Sequence, residues 1–519
     1  MTTIDWIIII VYLLGLVGMS IYLGRGQTSQ DDYYVGNRNI PWWAVGISTM
    51  ATQTSAISFI SIPAFVALKD GGGLTWLQYE LAVPLAMILV MVFLIPYFRK
   101  LNLVSVYEYL ELRFGPSVRN LVSGVFLVSR GLATGVGLYA SAIVLSVALD
   151  LPLWSTILMI GVITIIYDTI GGISAVIYSD VIQMVVLLGG IIVCIFYAAA
   201  EIGGFGAMFS AMPAERLTAT DFSTGLGDGG AVPFWAFLFG GFFLYASYYG
   251  TDQSQVQRGL SAKTVDEAKK ALMLNGLARF PLTVLYILLG IAAFAVYQNS
   301  PELASAIPAD KPDYLIPEYI LLMLPTGLRA LLFAALLAAA MSSLDSALNS
   351  LSASTMRDFV SKWKSDADQI NLGKITTVIW GVLVTGFAFI VGGISDTVIE
   401  AINKIGSAFY GPILAAFLVG ILSRKVTTRA MFLGIIIGVG FNITLWLGFS
   451  QIYWMWWNLF GCIISAGVAM LLSFSNNELV DDKFTLSFTN TLTREKLWLK
   501  NYLFLIAYFI VILAVVLFI

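Results

Sequence analysis

Apolar stretches of about 20 residues, the length that crosses a bilayer core as a helix, recur from one end of the chain to the other. They predict fourteen transmembrane helices, at roughly 4–24, 41–69, 75–98, 116–148, 151–170, 172–200, 231–252, 265–298, 326–356, 371–393, 395–422, 427–450, 452–474 and 499–519. Lipid offers no hydrogen-bond partners, so only helices and closed barrels span it. Barrel strands would alternate apolar and polar residues, and these stretches do not. The expected fold class is therefore an all-α polytopic membrane protein.

Three stretches interrupt the pattern. The second, "PWWAVGISTMATQTSAISFISIPAF", carries eight Ser, Thr and Gln residues between Gly46 and Pro63. Interhelical hydrogen bonding explains some such residues; a discontinuous helix that opens its backbone to a cavity explains the density. The seventh has a weak point at Gly240-Gly241. It opens a second group of five spans, 231–422, as the second opens the first group, 41–200, and this pairing predicts an inverted repeat. Around the repeats lie an N-terminal helix and first loop (1–40), a loop at 201–230 and three flanking helices (423–519).

The ninth stretch contains "AAAMSSLDSALNSLSAS" (338–354). Ser342, Asp345, Ser346 and Asn349 fall at i, i+3, i+4 and i+7, so they share one helical face, with Ser343 at its border. A carboxylate inside a membrane helix costs roughly 2.5–3.5 kcal/mol and needs a partner or a proton. Hydroxyls, carbonyls and a carboxylate without thiolate or imidazole suit an alkali cation better than a transition metal; pairing of Asp345 with Lys or Arg is the alternative.

Composition sharpens this picture. The chain of 519 residues is 59% hydrophobic and contains no histidine, which removes histidine-based catalysis, metal binding and pH sensing. Cys194 and Cys462 lie in apolar stretches and read as packing residues. No constellation for a membrane enzyme is visible, and no nucleic-acid signature, signalling domain or obligate protein partner. The first stretch lacks a basic leader and a cleavage site, so it reads as a retained helix. Twenty-one of the 28 Lys and Arg residues fall on one side if the N-terminus is outside, which predicts N-out and C-out. Residues 105–113, "SVYEYLELR", read as a short interfacial helix, and 201–230 and 299–325 as outward insertions. Only Arg130, Arg279 and Lys404 remain as basic residues within spans.

Over residues 1–475 the chain resembles the sodium:solute symporters, which include bacterial sodium/galactose, sodium/sialic acid and sodium/proline transporters. The motifs that carry the resemblance are "YDTIGGISAVIYSDVIQ" (167–183), "GTDQSQVQRGLSAKTVDEAKK" (250–270) and "AAAMSSLDSALNS" (338–350). The resemblance implies a LeuT-like fold of two inverted five-helix repeats, a plasma (inner) membrane location, Na+ as coupling ion and no other cofactor. It implies a main sodium site from the carbonyls of Ala51, Thr54 and Ala339 and the hydroxyls of Ser342 and Ser343. A second sodium site would use Asp180, Ser342, Asp345 and Ser346; Asp345 stands where the sialic acid members have serine. Asp168 also departs from the family pattern and receives no role. Solute contacts implied by the same resemblance are Gln53, Ser55, Ser58, Gln78, Glu80, Arg130, Tyr248 and Arg279. Because an arginine fork clamps a carboxylate, a sugar acid or other organic anion is the expected solute. The alternatives are a neutral sugar or inositol, a monocarboxylate or amino acid, and proton coupling.

Overall fold

The computed structural model describes residues 1–24, 30–222, 226, 232–360, 366–390, 397–476, 485–486 and 488–519. Among these there is no β-sheet, only an isolated bridge between Ile40 and Ala262. All fourteen predicted stretches carry helix. Ten described helices are long and apolar enough to cross a membrane, or eleven when one bent pair counts as a single span.

Helix α1 (Thr3–Leu23) starts with a capping box between Thr2 and Asp5. The Asp5 carboxylate also accepts from Gly327 N at 2.9 Å and Arg329 Nε at 2.8 Å, which ties this mostly lipid-facing helix to the start of the ninth span. The bent pair is α2 (Trp42–Gln53) and α3 (Ala56–Ala67), which meet at 52°. Span α4 (Leu74–Lys100) opens with a 3-10 turn over Leu74–Glu80. The stretch expected to lie at the interface forms a helix at Glu108–Phe114 that packs into the protein. Its Arg113 donates to the carbonyls of Gly420, Ser423 and Val426.

Helix α5 (Pro116–Leu149) is followed by α6 (Leu153–Ile166) and α7 (Gly172–Glu201), which part where Gly172 adopts φ 62°. Only glycine enters that region without strain. Helix α8 (Gly241–Thr251) does not break at its glycine pair as expected: Gly240 and Gly241 are both helical, and the irregularity is a π-turn over Ala236–Gly240. One inserted residue shifts the hydrogen bonds without unwinding the helix. Asp252 then turns the chain and caps a short polar helix, α9 (Gln253–Ser261), by accepting from Ser254 N at 2.9 Å.

The remaining long helices are α10 (Val265–Asn299), α11 (Leu328–Thr355), α12 (Asp366–Ala388), α13 (Val398–Leu422), α14 (Thr428–Gly448), α15 (Trp456–Leu472) and α16 (Leu499–Phe518). Helix α11 runs through the middle of the molecule, packed by α1, α5, α12 and the 153–201 segment. Small residues allow close approach: a Cβ on Gly411 of α13 would sit 2.2 Å from the Asn458 carbonyl of α15. At the start of α13, Asp313 from the 299–325 insertion accepts from Val398 N at 2.9 Å, beside an ion pair of Lys69 and Glu400 at 3.2 Å. Burial pushes the Asp313 carboxyl up to about 6.

Candidate functional site

The bend between α2 and α3 is a local consequence of residue choice. Thr54 (φ −88°, ψ 68°) and Ser55 (φ −88°, ψ 178°) leave the helical region, and the Ser55 hydroxyl caps the next helix by accepting from Ile57 N at 3.2 Å. The last turn of α2 therefore ends without the amides that would have continued it. Ala51 lies in that turn and Thr54 closes it.

Beside the bend lies a cavity of about 100 Å³ between α3, α4, α5, α8, α10, α11 and α13. Gln53, Ser55, Ser58, Glu80, Arg130, Tyr248 and Arg279 all line it. Gln78 does not: it is fully buried, and its Nε2 donates to the carbonyls of Thr75 and Val232 at 3.1 and 3.2 Å. In a 3-10 turn residues three apart eclipse, so Gln78 and Glu80, two apart, face different ways. Sequence reasoning missed Asn403 and Tyr410 of α13, which also line the cavity; Tyr79 donates to Asn403 Oδ1 at 2.6 Å across it. Nothing in the regular apolar pattern of α13 distinguishes those two positions. Tyr249 donates to Gln53 Oε1, which holds the end of α2 against α8.

The cavity's charges come from Glu80, Arg130 and Arg279. Arg279 Nη2 and Nε donate to the two Glu80 oxygens at 2.6 and 3.4 Å, and its Nη1 donates to the Thr54 hydroxyl at 3.0 Å. Arg130 is held more loosely. Its nearest carboxylate is Asp252, at 3.7 Å, its guanidinium lies 5.7 Å from the Tyr248 ring, and its Nε has no hydrogen-bond partner.

The polar face of α11 adjoins this cavity. Ser343 lines it, and its hydroxyl is buried with no hydrogen-bond partner in the protein. Ala339 is buried in the same turn; the side chains of Ser342 and Asp168 lie outside those described. Asp345, Ser346 and Asn349 are buried deeper along the face. The structure brings Asp180 of α7 to Ser346 through a residue to which the sequence reading gave no site role. Arg258 of α9 is 1% exposed and donates to Ser346, to Asp180 at 3.2 Å and to Ser48 at 2.7 Å; Ser48 in turn donates to Asp180. Next to it, Gln257 donates to Asn349 Oδ1 at 2.8 Å and to the Tyr34 carbonyl at 2.6 Å. The run "DQSQVQR" was the available signal, because its density of amides exceeds what a solvated loop needs. Lys404 lies on α13, outside this face.

Among the described residues no group of three or more His, Cys, Asp or Glu is arranged to hold a metal ion. Buried hydroxyls and single carboxylates around an opened helix, next to a charged cavity within a bundle of membrane-length helices, define a carrier that binds a solute and a monovalent cation together. A sequence profile of the sodium:solute symporter family matches residues 33–438. The chain is 31% identical over 498 residues to the sodium/sialic acid symporter NanT of Aliivibrio fischeri, covering 94% of this chain and 96% of that one. It is 30% identical over 468 residues to the sodium-coupled monocarboxylate transporter 1 of Xenopus laevis, covering 86% and 72%. Its fold matches a Na+-coupled sialic acid symporter, solved in a substrate-bound outward-open state, with a TM-score of 0.82 and 25% identity over 92% of this chain and 99% of that one. The chain belongs to the sodium:solute symporter family. It is a multi-pass membrane protein of Na+-coupled solute symport, and not an enzyme.

Proposed function

We propose that this chain imports a small organic anion, with a sugar acid such as sialic acid as the best-matched class, by alternating access coupled to Na+. The observation that carries this reading is Arg130. The cavity lining holds two guanidiniums and one carboxylate. Glu80 neutralises Arg279, whereas Asp252 approaches Arg130 only to 3.7 Å. That leaves a planar donor facing the cavity for a solute carboxylate. Two of the relatives named above are described as carriers of carboxylates, sialic acid and monocarboxylates. A second reading, a neutral sugar or inositol, is favoured by the Glu80–Arg279 pair, whose balanced donors and acceptors suit hydroxyls.

The main sodium site in this proposal comprises the carbonyls of Ala51, Thr54 and Ala339 with the hydroxyls of Ser342 and Ser343. The unpartnered Ser343 hydroxyl beside the opened end of α2 supports it. The second comprises Asp180, Ser342, Asp345 and Ser346. The chain would cross the membrane fourteen times, N-out and C-out, with inverted repeats at 41–200 and 231–422. Each sodium entering gains about 2.3 kcal/mol per 100 mV, which an anionic solute partly offsets. Thermal stabilisation of the purified protein by sialic acids, monocarboxylates, neutral sugars and amino acids, each with sodium and with choline, tests the reading. Sodium-dependent stabilisation by neutral sugars alone would transfer it to the second class.

A further inference from the structure

We propose that Arg258 is a tethered competitor for the second sodium position: its guanidinium and a sodium ion hold Asp180 and Ser346 in turn, never together. The inference rests on the assignment of the second cation site to Asp180, Asp345 and Ser346. Arg258 reaches into that set from α9, and every nitrogen of its guanidinium is engaged. Nε donates to Ser48 of α2 at 2.7 Å, Nη1 to the Ser254 carbonyl of its own helix at 2.5 Å, and Nη2 to Asp180 of α7 at 3.2 Å and to Ser346 of α11. One side chain thus ties α9 to α2 and to α7 and α11, the two helices that carry the second-site residues. A sodium ion coordinated by the same carboxylate and hydroxyl would sit within a few ångströms of the guanidinium. In a site with no solvent to screen them, two like charges that close repel strongly. The ion enters as the arginine leaves.

The exchange has a mechanical reading. While Gln257 with Asn349 and Tyr34, Gln253 with Val104 and Val106, and Arg99 with the Leu260 carbonyl keep α9 attached, withdrawal of Arg258 removes its own bonds to α2, α7 and α11. Departure of the ion restores them. The arginine replaces the lost cation beside two buried carboxylates, Asp180 and Asp345, so the empty carrier does not have to bury their charge uncompensated. A lysine would supply the charge but not the planar, multiply donating head that spans three helices.

The test uses the purified full-length protein with ²²Na+ as the binding probe at constant ionic strength, choline replacing sodium. Arg258→Gln, freed of its competitor, should bind sodium at least fivefold more tightly than wild type, and Arg258→Lys should fall between. Asp180→Asn should lose the second ion. If Arg258→Gln binds sodium no more tightly while Asp180→Asn loses it, the second site stands and Arg258 is only a strut, which overturns the proposal. If neither variant changes sodium binding, the second site itself fails and takes the proposal with it. A readout that leaves Arg258 in place guards against misfolding of the variants. Leu260 of α9 is fully buried, and the native Cys194 and Cys462 are buried and free. Maleimide labelling of Leu260→Cys should rise severalfold on replacing choline with sodium; labelling indifferent to sodium also overturns the proposal.

Discussion

Arg279 of α10 grips Glu80 of α4 with two nitrogens, the shorter contact 2.6 Å, and with the third it reaches Thr54 at the bend of the broken helix, 3.0 Å away. Both are buried, 4% and 1% exposed. The pair therefore joins the solute cavity to the opened backbone proposed to hold sodium.

Removing one partner strands the other. Glu80→Gln should lower stability by about 3–5 kcal/mol, the usual cost of breaking a buried pair, whereas the double change Glu80→Gln with Arg279→Met should recover much of that loss. Arg279→Lys keeps the charge and loses the fork, so transport should fall with normal surface expression. Thermal unfolding in detergent and uptake in proteoliposomes check the two parts; a double variant no more stable than Glu80→Gln would count against the pairing.

Ser343→Ala removes one hydroxyl with little change in volume. Half-saturating sodium should rise about tenfold, the equivalent of roughly 1.4 kcal/mol of lost coordination, with an unchanged unfolding temperature in choline. An unaltered sodium dependence would remove Ser343 from the main site.

Arg130→Lys should weaken a carboxylate solute at least about tenfold and leave any neutral sugar untouched, because only the former uses the planar donor. Competition binding with matched pairs, a sugar acid and its amide, reads this directly. Equal loss for both members of a pair would assign Arg130 to packing.

Asp345→Asn should reduce the charge moved per solute, and Asp345→Ser should be milder. Reversal potentials in proteoliposomes measure the ratio. An identical ratio in wild type and both variants would make the carboxylate a hydrogen-bonding partner only.

The pH prediction concerns Asp313, outside the spans. Its carboxyl sits at about 6 against an ordinary 3.8, because burial disfavours the charged form. Between those values the folded chain holds a proton that the unfolded chain has released, so stability should rise as pH falls from 7 through 6 toward 4. The gain is about 1 kcal/mol by pH 5 and at most about 3 kcal/mol. Lys69 and Glu400 flank the site as an ion pair at 3.2 Å. Asp313→Asn should flatten the profile. Unfolding temperatures at pH 7, 6 and 5 decide it, and parallel profiles for the two proteins would exclude Asp313 as the source.

The membrane helices were legible because hydropathy alone drives their placement. The bend at Thr54 was legible because hydroxyls concentrated there are costly in lipid unless the backbone opens. The glycine pair at 240 misled, since glycine permits a break without requiring one, and a π-turn absorbed the irregularity. Gln78 misled because its face is set by a 3-10 turn that no periodicity announces. Arg258 was the larger omission. Counted as a loop charge, it met the positive-inside pattern and raised no question; only packing brings α9 to Asp180 and Ser346, more than 70 residues away in either direction.

Ala340 lines the charged cavity and also an apolar crevice of about 190 Å³ bordered by Trp6, Leu145, Ile160 and Leu337. At that point the two chambers share one residue in their walls. Most core positions resist enlargement, because extra methylenes force their neighbours apart. Position 340 is different, since it borders an apolar crevice that can take up added bulk. A lineage could resize its binding chamber by drift at this one residue while the neighbouring residues proposed to hold sodium stayed fixed, which makes Ala340 a ready point of divergence toward solutes of other sizes.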